Sequence, residues 1–167
     1  MKSQIQSQDL KECVESLATP EGWRVAYPIL QRAGHAGLDE VLEGLSHPNW
    51  RIRKWCVAFM DHYADARCVS ALVRALDDPI ADVRRHAVHS IGCQPCKQTP
   101  LTLDVIELLI DRAMNDESIR VRRAATHMLG NQPQDDRATK TLWQIINKDS
   151  DPKLLSNAKW VLKQYAK

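Results

Sequence analysis

The sequence has no long hydrophobic run. Among its 167 residues, no apolar stretch approaches the roughly 18–20 residues that a membrane-spanning helix needs. The segment from Met1 to Ser7 is polar and lacks the apolar core of a signal peptide. Net charge is also low, at +2, which argues against binding polyanions through bulk charge. These features exclude an integral membrane protein and predict a cytoplasmic one.

Other signals of chemistry are missing as well. There is no glycine-rich phosphate loop, no His-Glu metal pair, no nucleophile elbow and no paired-carboxylate motif. The five cysteines are an odd number in a chain large enough to need no disulfides, which favours free thiols in a reducing compartment. We therefore expect a protein without enzymatic activity and without a cofactor.

The sequence does contain an internal repeat. A small residue recurs and is followed four positions later by a large apolar residue, at intervals of 30, 31, 38 and 33 residues. The small residues are Ala26, Cys56, Ala87, Ala125 and Ala158, and their apolar partners are Leu30, Met60, Ile91, Leu129 and Leu162. Such self-similarity is typical of repeat architectures.

Each copy contains two stretches with helical periodicity. In the first stretch of the third copy, Val83, Ala87 and Ile91 follow an i, i+4, i+8 pattern, and Gly92 comes where the helix should stop. Alternating β-branched runs are missing, so strands are not expected. Because one helical hairpin cannot bury both its apolar faces, neighbouring hairpins must stack. The sequence predicts an all-α, right-handed α-solenoid.

The repeat predicts a single domain over residues 1–167. Its expected parts are an N-terminal cap helix in 1–20, four hairpins in 21–46, 47–77, 78–115 and 116–149, and a C-terminal cap helix in 150–167. The shared motif reads Asp78-Pro79, Val83-Arg84-Arg85, Ala87, Ile91-Gly92 in its clearest copy. Over about residues 22–164 this motif resembles HEAT repeats of the short bacterial type, which also occur in phycobilin lyases. The resemblance implies a binding surface more often than an activity.

Charge separates the two helices of each hairpin. The first helices together sum to +10 and the second helices to −3. In HEAT-like solenoids the second helices line the concave surface, so the resemblance implies that a protein partner binds there. The predicted partner-binding residues are Glu40, Glu43, Arg67, Arg74, Asp104, Leu108, Asp111 and Arg137. Ion pairs between neighbouring repeats are the structural alternative for these charges.

The first helices offer an alternative function. Lys54, Arg85 and Arg123 occupy one equivalent outward position, which could bind nucleic acid or another polyanion. The residue before each of these cations is an arginine: Arg53, Arg84 and Arg122. These arginines are expected to pair with acidic residues of the loops, such as Asp78 and Asp116.

Two further groups of residues carry candidate sites. His86, His89, Cys93 and Cys96 have spacings that permit a tetrahedral metal site. A single Cys-x-x-Cys is weak evidence, so we expect an ordinary loop without metal, with a redox-active thiol pair as the alternative.

Among the five tryptophans, Trp143 follows the apolar stripe and is predicted to lie in the core. Trp55 is predicted on the outward side, where an exposed indole could anchor a partner. The alternative, which is more common at the end of a solenoid, is that the N-terminal cap helix buries it.

Overall fold

The computed structural model describes residues 7–93, 95–97 and 101–167, and over these residues it contains helices and no strand. The helices are α1 (Ser7–Ser16), α2 (Pro20–Ala33), α3 (Leu38–Gly44), α4 (Trp50–Tyr63), α5 (Val69–Ala75), α6 (Ala81–Gly92), α7 (Val105–Asn115), α8 (Ile119–Leu129), α9 (Asp136–Lys148) and α10 (Pro152–Tyr165). Short 3₁₀ turns precede α3 and α5. The all-α prediction is confirmed.

The helices form two layers. The first helices of the repeats pack in sequence, with α4 on α6, α6 on α8 and α8 on α10. The second helices α3, α5, α7 and α9 pack against the first helix that follows each of them. Helix α1 packs against α2 and α3 at the N-terminal end, while residues 1–6 of the predicted cap lie outside the described residues. This arrangement confirms the stacked-hairpin solenoid.

The small residue of each first helix lies at a helix contact. Cys56, Ala87, Ala125 and Ala158 are completely buried, as are the large residues that follow the first three of them. Close approach between first helices leaves no room for a longer side chain at these positions. The recurring small residue is thus a consequence of the stacking.

Gly92 and Gly130 are required for close packing. Gly92 is the last residue of α6 and Gly130 directly follows α8, so both stand where their helices end, although neither has a positive φ. A Cβ on Gly92 would lie 2.6 Å from Met128 Cβ, and one on Gly130 would lie 2.4 Å from the Trp160 ring. A side chain at either position would push the next first helix away.

A ladder of arginines joins successive repeats. Arg53 donates to Asp78 (2.6 and 3.0 Å), and Arg84 donates to Asp116 (2.9 and 3.0 Å). Arg122 continues the row with a 3.0 Å bond to Asp149. Each of these aspartates also accepts the backbone N–H two residues further on, which fixes the turn before the next first helix. Helix α6 begins at Ala81 with Ile80 at the N-cap position. Asp78 thus holds the turn before the helix and is not itself the N-cap residue.

Candidate functional site

The second helices present most of the predicted partner-binding residues to solvent. Leu108 and Asp111 are half-buried on α7. The exposed members of the set are Glu43, Arg67, Arg74, Asp104 and Arg137. We refer to the exposed side of α3, α5, α7 and α9 as the second-helix face.

Glu40 is an exception, because its prediction as an exposed residue is wrong. Its exposed fraction is 8%, and one carboxylate oxygen accepts a 2.5 Å hydrogen bond from Ser7 Oγ. The equivalent residues of the other repeats include Ala71 and Thr141, which are buried too. This row faces between helices, so the sequence-based orientation of the second helices was off by about one residue. Asp39, the residue before Glu40, is exposed instead.

Many charges of the second-helix face pair across repeats. Arg67 on the α5 side reaches Asp39 of α3 at 2.6 Å, and Arg137 of α9 reaches Asp104 before α7 at 2.7 Å. All four side chains are solvent-exposed, so each pair contributes about 0–1 kcal/mol to folding. Arg74 differs, since it is exposed and has no ion-pair partner within the described part of the chain.

Trp143 lies on the surface, so its predicted place in the core is wrong. Its exposed fraction is 54%, the largest for an aromatic side chain among the described residues. In the preceding repeats the equivalent position is filled by Leu42, Val73 and Ile110, which are half-buried. Helix α9 packs against α7 and α10, and these contacts leave the indole exposed. The apolar pattern alone could not reveal this.

The outward cations of the first helices, Lys54, Arg85 and Arg123, are called the first-helix row below. Two of them face acidic groups. Arg123 donates to Asp151 at 2.8 and 2.5 Å, and this hydrogen bonding raises the pKa of its guanidinium. Arg85 lies 3.7 Å from Asp82. Lys54 packs its ammonium 4.3 Å from the ring centre of Trp55, and burial lowers its pKa. The row therefore offers little unpaired positive charge.

Trp55 belongs to an aromatic cluster on the first helices. It stacks on Trp23 with ring centres 4.4 Å apart, and both rings are half-buried. The His86 ring also contacts Trp55, in an edge arrangement, and its Nδ1 lies 2.7 Å from the carbonyl oxygen of Asp82. Burial lowers the pKa of His86. These contacts place His86 in the aromatic cluster, away from the cysteines.

The cysteines instead meet a residue from the preceding repeat. Potential ligand atoms of Asp61, His89, Cys93 and Cys96 all lie within 4.8 Å of one another. The sulfurs of Cys93 and Cys96 are 2.8 Å apart, and His89 Nε2 lies 3.2 Å from Asp61 Oδ2. Burial opposes ionisation of Asp61, but the hydrogen bond and charge of His89, together with Lys97 and Cys96, outweigh it, so the pKa of this carboxyl is lowered.

Sequence reasoning missed Asp61 because it lies 28 residues before His89. One signal was present: Asp61 stands five residues after the small residue Cys56, where the next two copies have Gly92 and Gly130. A carboxylate in place of a buried glycine departs from the repeat.

The fold is that of helical-repeat solenoid proteins. No protein-family model matches the sequence, nor does any curated protein. Among solved structures, the chain is similar to one in the complex of CpcE and CpcF of phycocyanin lyase from Nostoc sp. PCC7120, with 17% identity, 94% and 99% of the two chains covered and a TM-score of 0.77. It is also similar to a designed armadillo repeat protein in complex with peptide (KR)4, with 15% identity, coverage of 95% and 82% and a TM-score of 0.59. The predicted likeness to HEAT repeats is confirmed for the fold.

In the described residues, every helix is too short or too polar to cross a membrane.

Proposed function

We propose that this protein is a non-enzymatic interaction module that binds a protein partner on its second-helix face. The observation that carries the proposal is a pair of exposed side chains on this face: Arg74, which has no ion-pair partner among the described residues, and Trp143, which is 54% exposed. Arginine and tryptophan are the residue types that most often dominate binding energy at protein interfaces. The proposed contact residues also include Glu43, Leu108 and Asp111.

Mixed charge on this face favours a protein over a nucleic acid. Acidic Glu43 and Asp111 stand in the same row as Arg74, and a duplex-binding surface needs several unpaired cations that follow the phosphates. Among the similar solved structures, CpcE and CpcF form a complex with each other and the designed armadillo protein binds a peptide. Both relationships support a binding role for this fold.

Two double variants test the proposal. Tagged wild-type protein, Arg74→Glu/Trp143→Ala and Lys54→Glu/Arg85→Glu would be used for affinity purification from the native host, with nucleic acid retained in each eluate. A protein captured by the wild type is expected to be lost only from Arg74→Glu/Trp143→Ala. The thermal midpoint of Arg74→Glu/Trp143→Ala should stay close to that of the wild type, because both side chains are exposed and surface substitutions change stability by about 0.5 kcal/mol or less.

Either of two results would refute the proposal. One is protein capture that survives Arg74→Glu/Trp143→Ala unchanged. The other is co-purification of nucleic acid that disappears only from Lys54→Glu/Arg85→Glu, which would establish the first-helix row as the binding surface.

A further inference from the structure

We propose that Asp61, His89, Cys93 and Cys96 form a zinc site that fixes the connection between α6 and α7. Two thiolates, one imidazole nitrogen and one carboxylate oxygen are all ligand types that Zn²⁺ accepts in tetrahedral geometry. Their ligand atoms already lie within 4.8 Å of one another. Zn–S bonds of about 2.3 Å require the two sulfurs to separate from 2.8 Å to about 3.8 Å.

One carboxylate oxygen points to a missing ligand. Asp61 is 7% exposed, and its buried Oδ1 has no hydrogen-bond partner among residues 7–93, 95–97 and 101–167. Buried polar oxygens without partners are uncommon in native proteins, and a bound ion or water can satisfy the exceptions. A cation bound between Asp61 and the sulfurs would satisfy this oxygen.

The charges of the site balance around a divalent cation. The Lys97 side chain is buried to 1% exposure, with its Nζ 3.9 Å from Asp61 Oδ1 and bonded to the Cys93 carbonyl at 3.1 Å. Two thiolates and the Asp61 carboxylate supply three negative charges, which Zn²⁺ and the Lys97 ammonium neutralise. Zinc binding displaces the two thiol protons into solvent.

The position of the site gives it a structural role. Asp61 lies in the last turn of α4, His89 lies near the end of α6, and the cysteines begin the longest connection of the array. The exposed His62 side chain lies 3.8 Å from Asp61 Oδ2. It competes with His89 for this oxygen and is not one of the proposed ligands. With four protein ligands the site is closed, which is the pattern of structural zinc centres.

Metal titration of the full chain tests the site. Reduced, chelator-treated protein without a histidine tag would be titrated with Co²⁺ and then Zn²⁺, and bound metal counted by mass spectrometry. We expect one ion per chain, intense visible bands of tetrahedral Co²⁺ and a near-ultraviolet thiolate-to-cobalt band. All of these should disappear in Cys93→Ser/Cys96→Ser and persist in Cys13→Ser, whose half-buried thiol lies on α1.

The two neighbouring histidines provide a sharper comparison. His89→Gln is expected to weaken Co²⁺ binding by more than about 10-fold, the lower end of what even an outer partner of a metal ligand contributes. His86→Gln should bind like the wild type, because its ring lies in the aromatic cluster. His89 is exposed, so its loss should leave the fold intact, as circular dichroism can verify.

Three results would overturn the zinc site. They are no cobalt bands in the reduced protein, equal weakening by His86→Gln and His89→Gln, and metal retained by Cys93→Ser/Cys96→Ser. A Cys93–Cys96 disulfide that forms on mild oxidation, with no metal bound by the reduced protein, would assign the pair a redox role instead.

Discussion

Removing the Asp116 carboxylate tests what holds the repeats together. Arg84 donates two hydrogen bonds to Asp116, and the two side chains are only 5% and 1% exposed. This hydrogen bonding raises the pKa of the Arg84 guanidinium. Asp116→Ala leaves that charge buried, with only Glu117 (3.0 Å) and the Asp78 carbonyl (2.8 Å) as partners among the described residues. Breaking a buried pair from one side costs about 3–5 kcal/mol, and the remaining contacts favour the lower end.

Urea unfolding followed by circular dichroism measures this loss. With an m-value of about 2 kcal/mol/M, a loss of about 3 kcal/mol lowers the midpoint by about 1.5 M. The matched control is Asp39→Ala, which breaks the exposed pair with Arg67 and should lower the midpoint by about 0.5 M or less.

A double variant separates the charge from the packing. Arg84→Met/Asp116→Ala leaves neither member of this pair as an unpaired buried charge, and we expect it to recover part of the stability that Asp116→Ala loses. Equal midpoint shifts for Asp116→Ala and Asp39→Ala would show that the arginine ladder behaves as an ordinary surface feature and would refute the reasoning.

Two further predictions concern pH and helix packing. The hydrogen bond from Arg123 lowers the pKa of Asp151 from 3.8 to about 2, so its stabilising effect is present above about pH 4 and is lost as pH falls towards 2. Asp151→Asn should flatten the acid limb of the melting-temperature profile, and an unchanged limb would contradict this. Gly92→Ala should cost about 1–3 kcal/mol in thermal unfolding, because its Cβ would lie 2.6 Å from Met128. Gly37→Ala, with its nearest neighbour at 3.7 Å, should change little; similar losses would argue against close packing at Gly92.

Much of the fold could be predicted because its determinants are local and repeated. Helical periodicity is a property of each segment, and the small residues at Cys56, Ala87 and Ala125 record the close approach of neighbouring helices. The pairing of Arg84 with Asp116 was also predictable, since successive repeats present the same arginine to the same turn. A repeated contact leaves a repeated pattern in the sequence.

Individual repeats depart from this pattern in ways that depend on their neighbours. Trp143 has the periodicity of a core residue but is exposed, because the contacts of α9 with α7 and α10 leave its indole uncovered. Glu40 is buried because it lies on the side of α3 that faces neighbouring helices. The sequence pattern places the exposed side of this helix about one residue away from its true position, and so predicts Glu40 to be exposed.

The sequence by itself determined the helices, their order and the arginine ladder, because these follow from spacings within one repeat or between equivalent positions. Only the tertiary structure decided which side chains meet at the cysteines. It replaced His86 with Asp61, a residue from the preceding first helix, since the stacking of α4 on α6 brings the carboxylate to His89. Repeated spacings record only contacts that recur between repeats, whereas this contact is made once, and its single trace in the sequence is a carboxylate at a position where the next two repeats have glycine.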